Sequence, residues 1–328
     1  MKSLDVICLG SAIVDVFVDA TDDDLSSLGL QRSSMTLVGR ELALEVTGRF
    51  PIKEMKSGGS AANTASALAT LGVGTGFVGL YDQDELGESF VREMRETGVR
   101  VFEDFIPPGL GTGRCLVFVT RDGERTMATY LGAAAAVSNE HLENVALDDA
   151  KTIFVEGYLL EIPAVRETIS KLAPELVKNG ANVVLSLSDY LLVKRMKKDI
   201  LELMRDGAIS MLFGNEAEYE SLLDISDMEY AAHALAEQEM KGVITLGPNG
   251  ARGFSGEDHI QVPADSKVKV VDTTGAGDIF AAGFLFGMAR EFDLQTCCQL
   301  GVDCATEVIS HYGARPAKPL LEVVSRYL

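Results

Sequence analysis

The chain has 328 residues, 47% of them hydrophobic, enough for one large domain or two of ordinary size. Acidic residues outnumber basic ones by 49 to 29, a formal charge of −20, and such a surface repels phosphate backbones and anionic lipid. That argues against nucleic-acid and membrane partners. Five cysteines (Cys8, Cys115, Cys297, Cys298, Cys304) form no C-x-x-C pair, and four histidines show no H-x-x-x-H spacing. Reduced, buried thiols in a cytoplasmic protein are expected, with little basis for zinc.

From the N-terminus, "LDVICLG" is a compact apolar strand of the kind found mid-sheet. Asp5 and Asp15 interrupt the apolar run and no cleavage-like site follows, which separates it from a secretion signal. "IVDVFVDA" alternates with period two and reads as a half-exposed strand. "TDDDLSSLG" is a short helix capped by Thr21 and stopped by Gly29. Residues 35–57 mix short strands and charges, ending at Gly58-Gly59. "SAANTASALATLG" is a helix of small residues, with Ser60 as its cap and Gly72 as its end. A strand "GTGFVGL" and an amphipathic helix "DELGESFVREMRETG" follow. Residues 112–131 form an antiparallel pair joined through Asp122-Gly123.

Beyond about residue 150, the strands "TIFVEG", "ANVVLSLS", "AISMLFG" and "KGVITLG" alternate with helical stretches. That pattern predicts a parallel sheet with helices on both faces. A hairpin at "LGPNGARGF", a helix opened by "DTTGAGDIFAAGF", a second through "LQTCCQLGVDCATEVISHYG" and a last near "LLEVVSRYL" complete the chain. No stretch approaches a transmembrane span. The expected organisation is a large α/β domain from residues 1–14, 58–106 and 132–328. A smaller, mostly β flap is expected from residues 15–57 and 107–131.

Three stretches carry chemistry. In "DTTGAGD", Gly275, Ala276 and Gly277 lack the bulk to keep a ligand from their backbone N–H groups at a helix N-terminus, where anions are favoured. A phosphoryl group in transfer, with charge over three oxygens, suits that cradle, and Asp278 beside it can take a proton from an attacking hydroxyl. On the fragment alone, Asp278 as a simple helix cap stands equally. In "SGGSAANTA", Gly58 and Gly59 permit close backbone approach, and Asn63 offers both a donor and an acceptor to a sugar hydroxyl. Close helix packing on the sheet is the competing reading. In "FGNEAEYE", Asn215 and Glu218 share a helix face and can hold water around a magnesium–phosphate group; a capping box explains that fragment better when taken alone.

Competing signatures are missing. No glycine precedes a lysine, which excludes a Walker A loop. "GLGTG" at 109–113 leads into a strand rather than a helix and reads as a turn. No G-x-S-x-G elbow is present.

In this order, "GSAIVD", "GGSAANTASALATLG", "GNEAE", "ITLGPNG" and "VDTTGAGDIFAAGF" resemble the ribokinase-like (PfkB) family of sugar and nucleoside kinases, over nearly the whole chain. The resemblance implies a three-layer α/β sandwich with a mostly parallel central sheet and a smaller β-sheet lid. It implies Asp278 as catalytic base, with Gly275, Ala276 and Gly277 as the anion hole. Asp15, Gly58, Gly59 and Asn63 match the substrate side. Asn215 and Glu218 match an N-x-x-E element that organises magnesium through water, and Thr245 and Gly247 match a T-x-G strand end near the nucleotide phosphates. Asp272 and Thr274 occupy positions that hold a monovalent cation such as potassium in some members.

ATP with Mg2+ is the implied donor, and the lid is implied to close over the substrate. Because lid edges pair between subunits in some members only, both monomer and homodimer stay open. The segments "LQRSSMTLV", "GTGRCLVFVTRDGERTMATYLGAA" and "FVEGYLL" look more like adenosine kinases than ribokinases. Tyr158 in the last of these can stack on a purine, or be an ordinary half-buried tyrosine. Arg125 can approach a phosphate, but in "DGER" at a hairpin it reads more readily as a solvated partner of Glu124. The expected activity is phosphorylation of the primary hydroxyl of a ribonucleoside such as adenosine. A kinase for free ribose or fructose is the alternative, and a non-catalytic nucleoside sensor is the alternative from another class.

Overall fold

Along β1 (Leu4–Leu9), Val6 and Cys8 enter one hydrophobic core while Ile7 and Leu9 enter another, so the strand is buried on both faces. The same split recurs in the neighbouring strand Ala150–Glu156, where Phe154 joins the first core and Ile153 and Val155 the second. A strand apolar on both sides needs a helical layer above and below, and the chain supplies both. The computed structural model describes residues 3–102 and 109–328. Residues 107 and 108, at the expected start of the second flap segment, lie outside the described residues, as do Met1 and Lys2.

The strands follow in chain order as β2 (Ile13–Asp19), β3 (Met35–Leu37), β4 (Ile52–Gly58), β5 (Thr75–Val78), β6 (Arg100–Val101) and β7 (Gly113–Val119). Then come β8 (Arg125–Tyr130), β9 (Ala150–Glu156), β10 (Asn182–Ser186) and β11 (Met211–Asn215). Last are β12 (Lys241–Thr245), β13 (Ala251–Ser255) and β14 (Asp258–Val262). The described residues form a large sheet of order β14-β13-β12-β11-β10-β9-β1-β5-β6, parallel from β6 to β12 with an antiparallel edge. The second sheet runs β3-β8-β7-β2-β4. The expected α/β class, with a large mostly parallel sheet and a smaller second one, is the class observed.

Two local expectations fail. A helix, Arg40–Arg49, occupies the middle of the stretch read as short strands and charges. It buries only Ala43 and Val46, too narrow an apolar stripe to register as helical periodicity. Ser60 is not the cap of the Ser60–Thr70 helix: Gly59, which has no side chain to cap with, holds that position, and Ser60 is the first helical residue. Its hydroxyl is used elsewhere. β14 extends the sheet one strand beyond the hairpin read at "LGPNGARGF".

The Ser60–Thr70 helix buries eight consecutive residues, none larger than leucine, and packs closely on the Ala276–Ala289 helix. Thr64 ties the two together, its hydroxyl donating to the Asp278 carbonyl at 3.1 Å. Because β1, β9, β10, β11 and β12 are parallel, their C-terminal ends open on one side, where ligands of such sheets bind.

Candidate active site

At the start of the Ala276–Ala289 helix, Gly275 takes φ +77, and a Cβ there would come within 2.6 Å of the Ala314 carbonyl oxygen. Only glycine fits that close left-handed turn. Three residues on, Asp278 is half-buried. Its Oδ1 accepts the Ser60 hydroxyl at 2.6 Å and its Oδ2 accepts the Asn63 amide at 3.0 Å. Burial pushes its carboxyl up to about 6, against the pull of those two bonds. Among the described residues the amides of Gly275, Gly277 and Asp278 have no partner, whereas Ala276 donates to the Thr273 carbonyl at 3.1 Å. The expected three-residue cradle is corrected at Ala276: its amide closes the turn, and the free donors flank it.

A cavity of ≈ 100 Å³ connects this helix start to the strand ends, lined by Ser60, Ser186, Ser188, Gly214, Asn215, Glu218, Thr245, Gly277 and Asp278, with Phe213, Val243 and Phe280. A larger open groove of ≈ 960 Å³ around Asp82, Glu88 and Arg92 holds none of these groups. Asn215 and Glu218 do form the reciprocal capping box: Glu218 N–H donates to Asn215 Oδ1 at 3.0 Å and Asn215 N–H to Glu218 Oε2 at 2.9 Å. Burial pushes Glu218 up to about 7. Capping and cavity lining therefore coincide, and the box presents a carboxylate to the cavity. Thr245 ends β12 with its hydroxyl 3.4 Å from the Gly214 carbonyl. Gly247 lies exposed beyond it at φ +54.

On the other side, a Cβ on Gly58 would meet all three atoms of the Asp15 carboxyl group at 2.6–2.8 Å, so that carboxylate lies directly over the Gly58 backbone. Gly59, at φ +91, passes equally close to the Ser11 carbonyl oxygen. Burial pushes Asp15 up to about 7, with Arg315 and then Arg125 pulling it back and Asp278 adding to the rise. Asn63 is buried, and its Oδ1 has no partner, leaving one acceptor free beside Asp278. Tyr158 sits half-buried in the short 3-10 turn Gly157–Glu161 after β9, packed against the second core and outside the cavity lining. Burial holds its hydroxyl well above the usual range, with Asp189, Glu156, Glu218 and Asp278 adding to the rise.

The expected cation position is already in use. Asp272 Oδ1 accepts both the N–H and the hydroxyl of Thr274, at 3.0 and 2.7 Å. Its Oδ2 accepts Gly313 N–H at 2.9 Å and pairs with Arg125 Nη1 at 2.9 Å. A carboxylate carrying four donors, one of them a guanidinium, does not fit an added monovalent ion, and no step is assigned to one. Arg125 is thus not the solvated partner of Glu124; it bridges β8 to Asp272, just before the Gly275 turn, with its charge near the Phe17 and Tyr312 rings. All five cysteines are free and buried, and burial holds Cys115, Cys297 and Cys304 at about 12, far from thiolate chemistry.

Sequence reasoning missed Glu156. It is 2% exposed at the end of β9, and its Oε2 accepts Ala61 N–H at 3.0 Å, capping from another strand the helix that Gly59 leaves uncapped. A lone acid in the apolar run "TIFVEG" was the available signal. Glu156 too is pushed up by burial to about 7.

Four acids raised together, Glu156 and Glu218 buried and Asp15 and Asp278 half-buried, link stability to pH. The folded chain binds these protons more tightly than the unfolded chain, so the stabilisation is complete below about pH 4 and is lost as pH rises through 6 to 7. Asp122, held at about 2 by hydrogen bonds from Thr120 and Arg32, acts oppositely but only below its unfolded value near 3.8. Thermal unfolding of the ligand-free protein is therefore expected about 5 °C or more higher at pH 5.5 than at pH 8. A flat or rising profile across that range would show that these acids are not buried together.

With this geometry in view, known proteins bear on it. A model of the pfkB family of carbohydrate kinases matches residues 31–320. The chain belongs to the pfkB family. Adenosine kinase of Saccharomyces cerevisiae is 28% identical over 331 residues, covering 94% of this chain and 95% of that protein. A probable sugar kinase from Rhizobium etli has a solved structure that superposes with a TM-score of 0.89 at 35% identity, covering 100% of this chain and 99% of that one. Adenosine kinase from Sinorhizobium meliloti gives 0.88, also at 35% identity, covering 99% and 100%. As a pfkB-family protein the chain is a kinase, and ATP is the phosphate donor the family implies. Among the described residues no helix is long and apolar enough to cross a membrane.

Proposed function

We propose that the chain transfers the terminal phosphoryl group of ATP to the primary hydroxyl of a ribonucleoside, adenosine or a close relative. The observation that carries this is Asp278: a carboxylate held between Ser60 and Asn63, beside free helix-terminal amides, facing a cavity that runs to Glu218 and Thr245. Asp278 takes the hydroxyl proton late in a loose phosphoryl transfer, where a carboxylate is basic enough. The amides of Gly275 and Gly277 meet the charge on the migrating group. Asp15 accepts a pair of sugar hydroxyls, and the unpartnered Asn63 Oδ1 accepts another. Thr245 and Gly247 line the nucleotide phosphates, and Tyr158 offers its ring to the base. Magnesium arriving with ATP neutralises phosphate charge; Asn215 and Glu218, both on the cavity wall, would hold its water. The smaller sheet, from residues 15–57 and 109–131, acts as the lid that excludes competing water.

Likeness at 35% identity to an adenosine kinase over 99% of the chain supports a nucleoside. Equal likeness to a probable sugar kinase supports a free sugar as the second reading. A panel of adenosine, inosine, ribose and fructose at fixed ATP and magnesium separates them. Adenosine is expected to exceed ribose in kcat/KM by about 100-fold or more, since a site built around base and sugar loses contacts with the sugar alone. Turnover of a sugar with every nucleoside inert would overturn the nucleoside reading while leaving the phosphoryl chemistry intact.

A further inference from the structure

The proposed function leaves Arg125 without a task, and its place in the fold supplies one. Arg125 opens β8 opposite Val119, on the face of the smaller sheet that also carries Asp15 and Phe17. From there it crosses to the larger domain. Its Nη1 pairs with Asp272 Oδ2 at 2.9 Å and stands 3.5 Å from the Thr274 hydroxyl. The guanidinium sits over two rings, Phe17 of the smaller sheet at 5.8 Å and Tyr312 of the larger domain at 5.7 Å. The β7–β8 hairpin adds a contact of its own, since a Cβ on Gly123 would lie 4.0 Å from the Tyr312 hydroxyl. Only 20% of the Arg125 side chain and 11% of the Asp272 side chain are exposed, so water and salt screen the pair poorly.

Asp272 in turn fastens the backbone around Gly275. Its Oδ1 accepts the Thr274 N–H and hydroxyl, and its Oδ2 accepts the N–H of Gly313, next to Ala314, whose carbonyl closes on Gly275. Contacts therefore run unbroken from the smaller sheet to the turn whose free amides flank Ala276. Those three donors are neutral. Among the described residues Arg125 is the one cation paired with Asp272. A poorly solvated carboxylate without a counter-charge, three positions before Gly275, would repel the very anion that the free amides are placed to receive.

We propose that Arg125 is a positioning residue: with the smaller sheet closed, its guanidinium supplies the counter-charge of Asp272 and makes the Gly275 turn receptive to the phosphoryl group, so that no monovalent cation is needed there. This rests on the proposed roles of the smaller sheet as lid and of the Gly275 turn as anion cradle. The coupling is reciprocal, because an anion at the turn favours the closed sheet by as much as the closed sheet favours the anion. The cradle is then at its most attractive to phosphate only under a closed lid, where competing water is excluded.

The experiment measures adenosine phosphorylation at saturating ATP and magnesium, with potassium chloride or tetramethylammonium chloride at one ionic strength. It compares the wild type, Arg125→Met, Asp272→Asn and the double variant. The wild type should keep its kcat within about twofold when potassium is withdrawn. Arg125→Met should lower kcat about 30-fold or more, while Arg125→Lys, which keeps the charge, should stay within about fivefold of wild type. Arg125→Gln can still donate to Asp272 but carries no charge; it should match the methionine variant, and it serves if that variant does not fold. In the Asp272→Asn background, where no carboxylate awaits a counter-charge, Arg125→Met should cost about threefold or less. An equal loss in both backgrounds, the mark of an arginine that grips the phosphoryl group itself, would overturn the proposal and leave the proposed function standing. So would wild-type turnover in Arg125→Gln, the mark of a brace rather than a charge, or a wild type inactive without potassium. A wild type that forms no nucleotide in either salt would remove the proposed function and this proposal with it.

Discussion

Asp278→Asn is expected to lower turnover by about three orders of magnitude while leaving the fold and nucleoside binding nearly intact. The amide matches the carboxylate in shape and can satisfy both neighbours. Its oxygen accepts the Asn63 amide, and its NH2 donates to the Ser60 oxygen, replacing the two bonds seen at 3.0 and 2.6 Å. What it cannot do is take a proton. Because burial had pushed the Asp278 carboxyl up to about 6, removing that acid also relieves a buried charge at pH 8. Thermal stability at that pH should therefore hold or rise as activity collapses. Steady-state kinetics and a melting curve on the same preparation check both halves. Turnover within tenfold of wild type would show that Asp278 only fastens the Ser60–Thr70 helix.

The second large effect falls on binding. Asp15→Ala should raise KM for the nucleoside by about 100-fold or more, since two hydrogen bonds to a charged acceptor contribute about 1.5–3 kcal/mol each. Turnover at saturation should fall far less, because Asp15 sits on the smaller sheet and the proton acceptor, Asp278, on a helix of the larger domain. A cycle with 2′- and 3′-deoxyadenosine sharpens the assignment. Each missing hydroxyl should weaken binding to the wild type but change little in the variant, where its acceptor is already gone. Equal losses in both proteins would show that the hydroxyl pair is held elsewhere and that Asp15 is a strand residue.

Sequence made some of this plain and hid the rest for physical reasons. Strands buried on both faces announce themselves as apolar runs, and alternation with helices then dictates a parallel sheet. Gly275 and Gly59 were legible because each occupies a backbone conformation or a close approach that a side chain forbids. Asn215 and Glu218 were legible because they lie three apart on one helix, and the capping geometry turned out to be the way they face the cavity. Hidden were the groups whose partners are distant in sequence. Ser60 looked like a local cap and instead holds a carboxylate 218 positions away; Glu156 caps a helix 95 positions earlier. Arg125 looked like the partner of its neighbour Glu124 and spans 147 positions to Asp272, beyond any local pattern. The Ala276 amide was misread for the opposite reason, a turn bond so short in sequence that only coordinates reveal it.

The proposed function depends on a phosphoryl group passing from ATP to a nucleoside hydroxyl at Asp278. The most direct measurement incubates the purified protein with adenosine, magnesium and ATP labelled in its terminal phosphate, then separates the products by chromatography. The expected result is label in adenosine 5′-monophosphate, mole for mole with ADP, formed about a thousandfold more slowly by Asp278→Asn. Label appearing only as free phosphate, or entering the nucleotide equally fast from the variant, would contradict it.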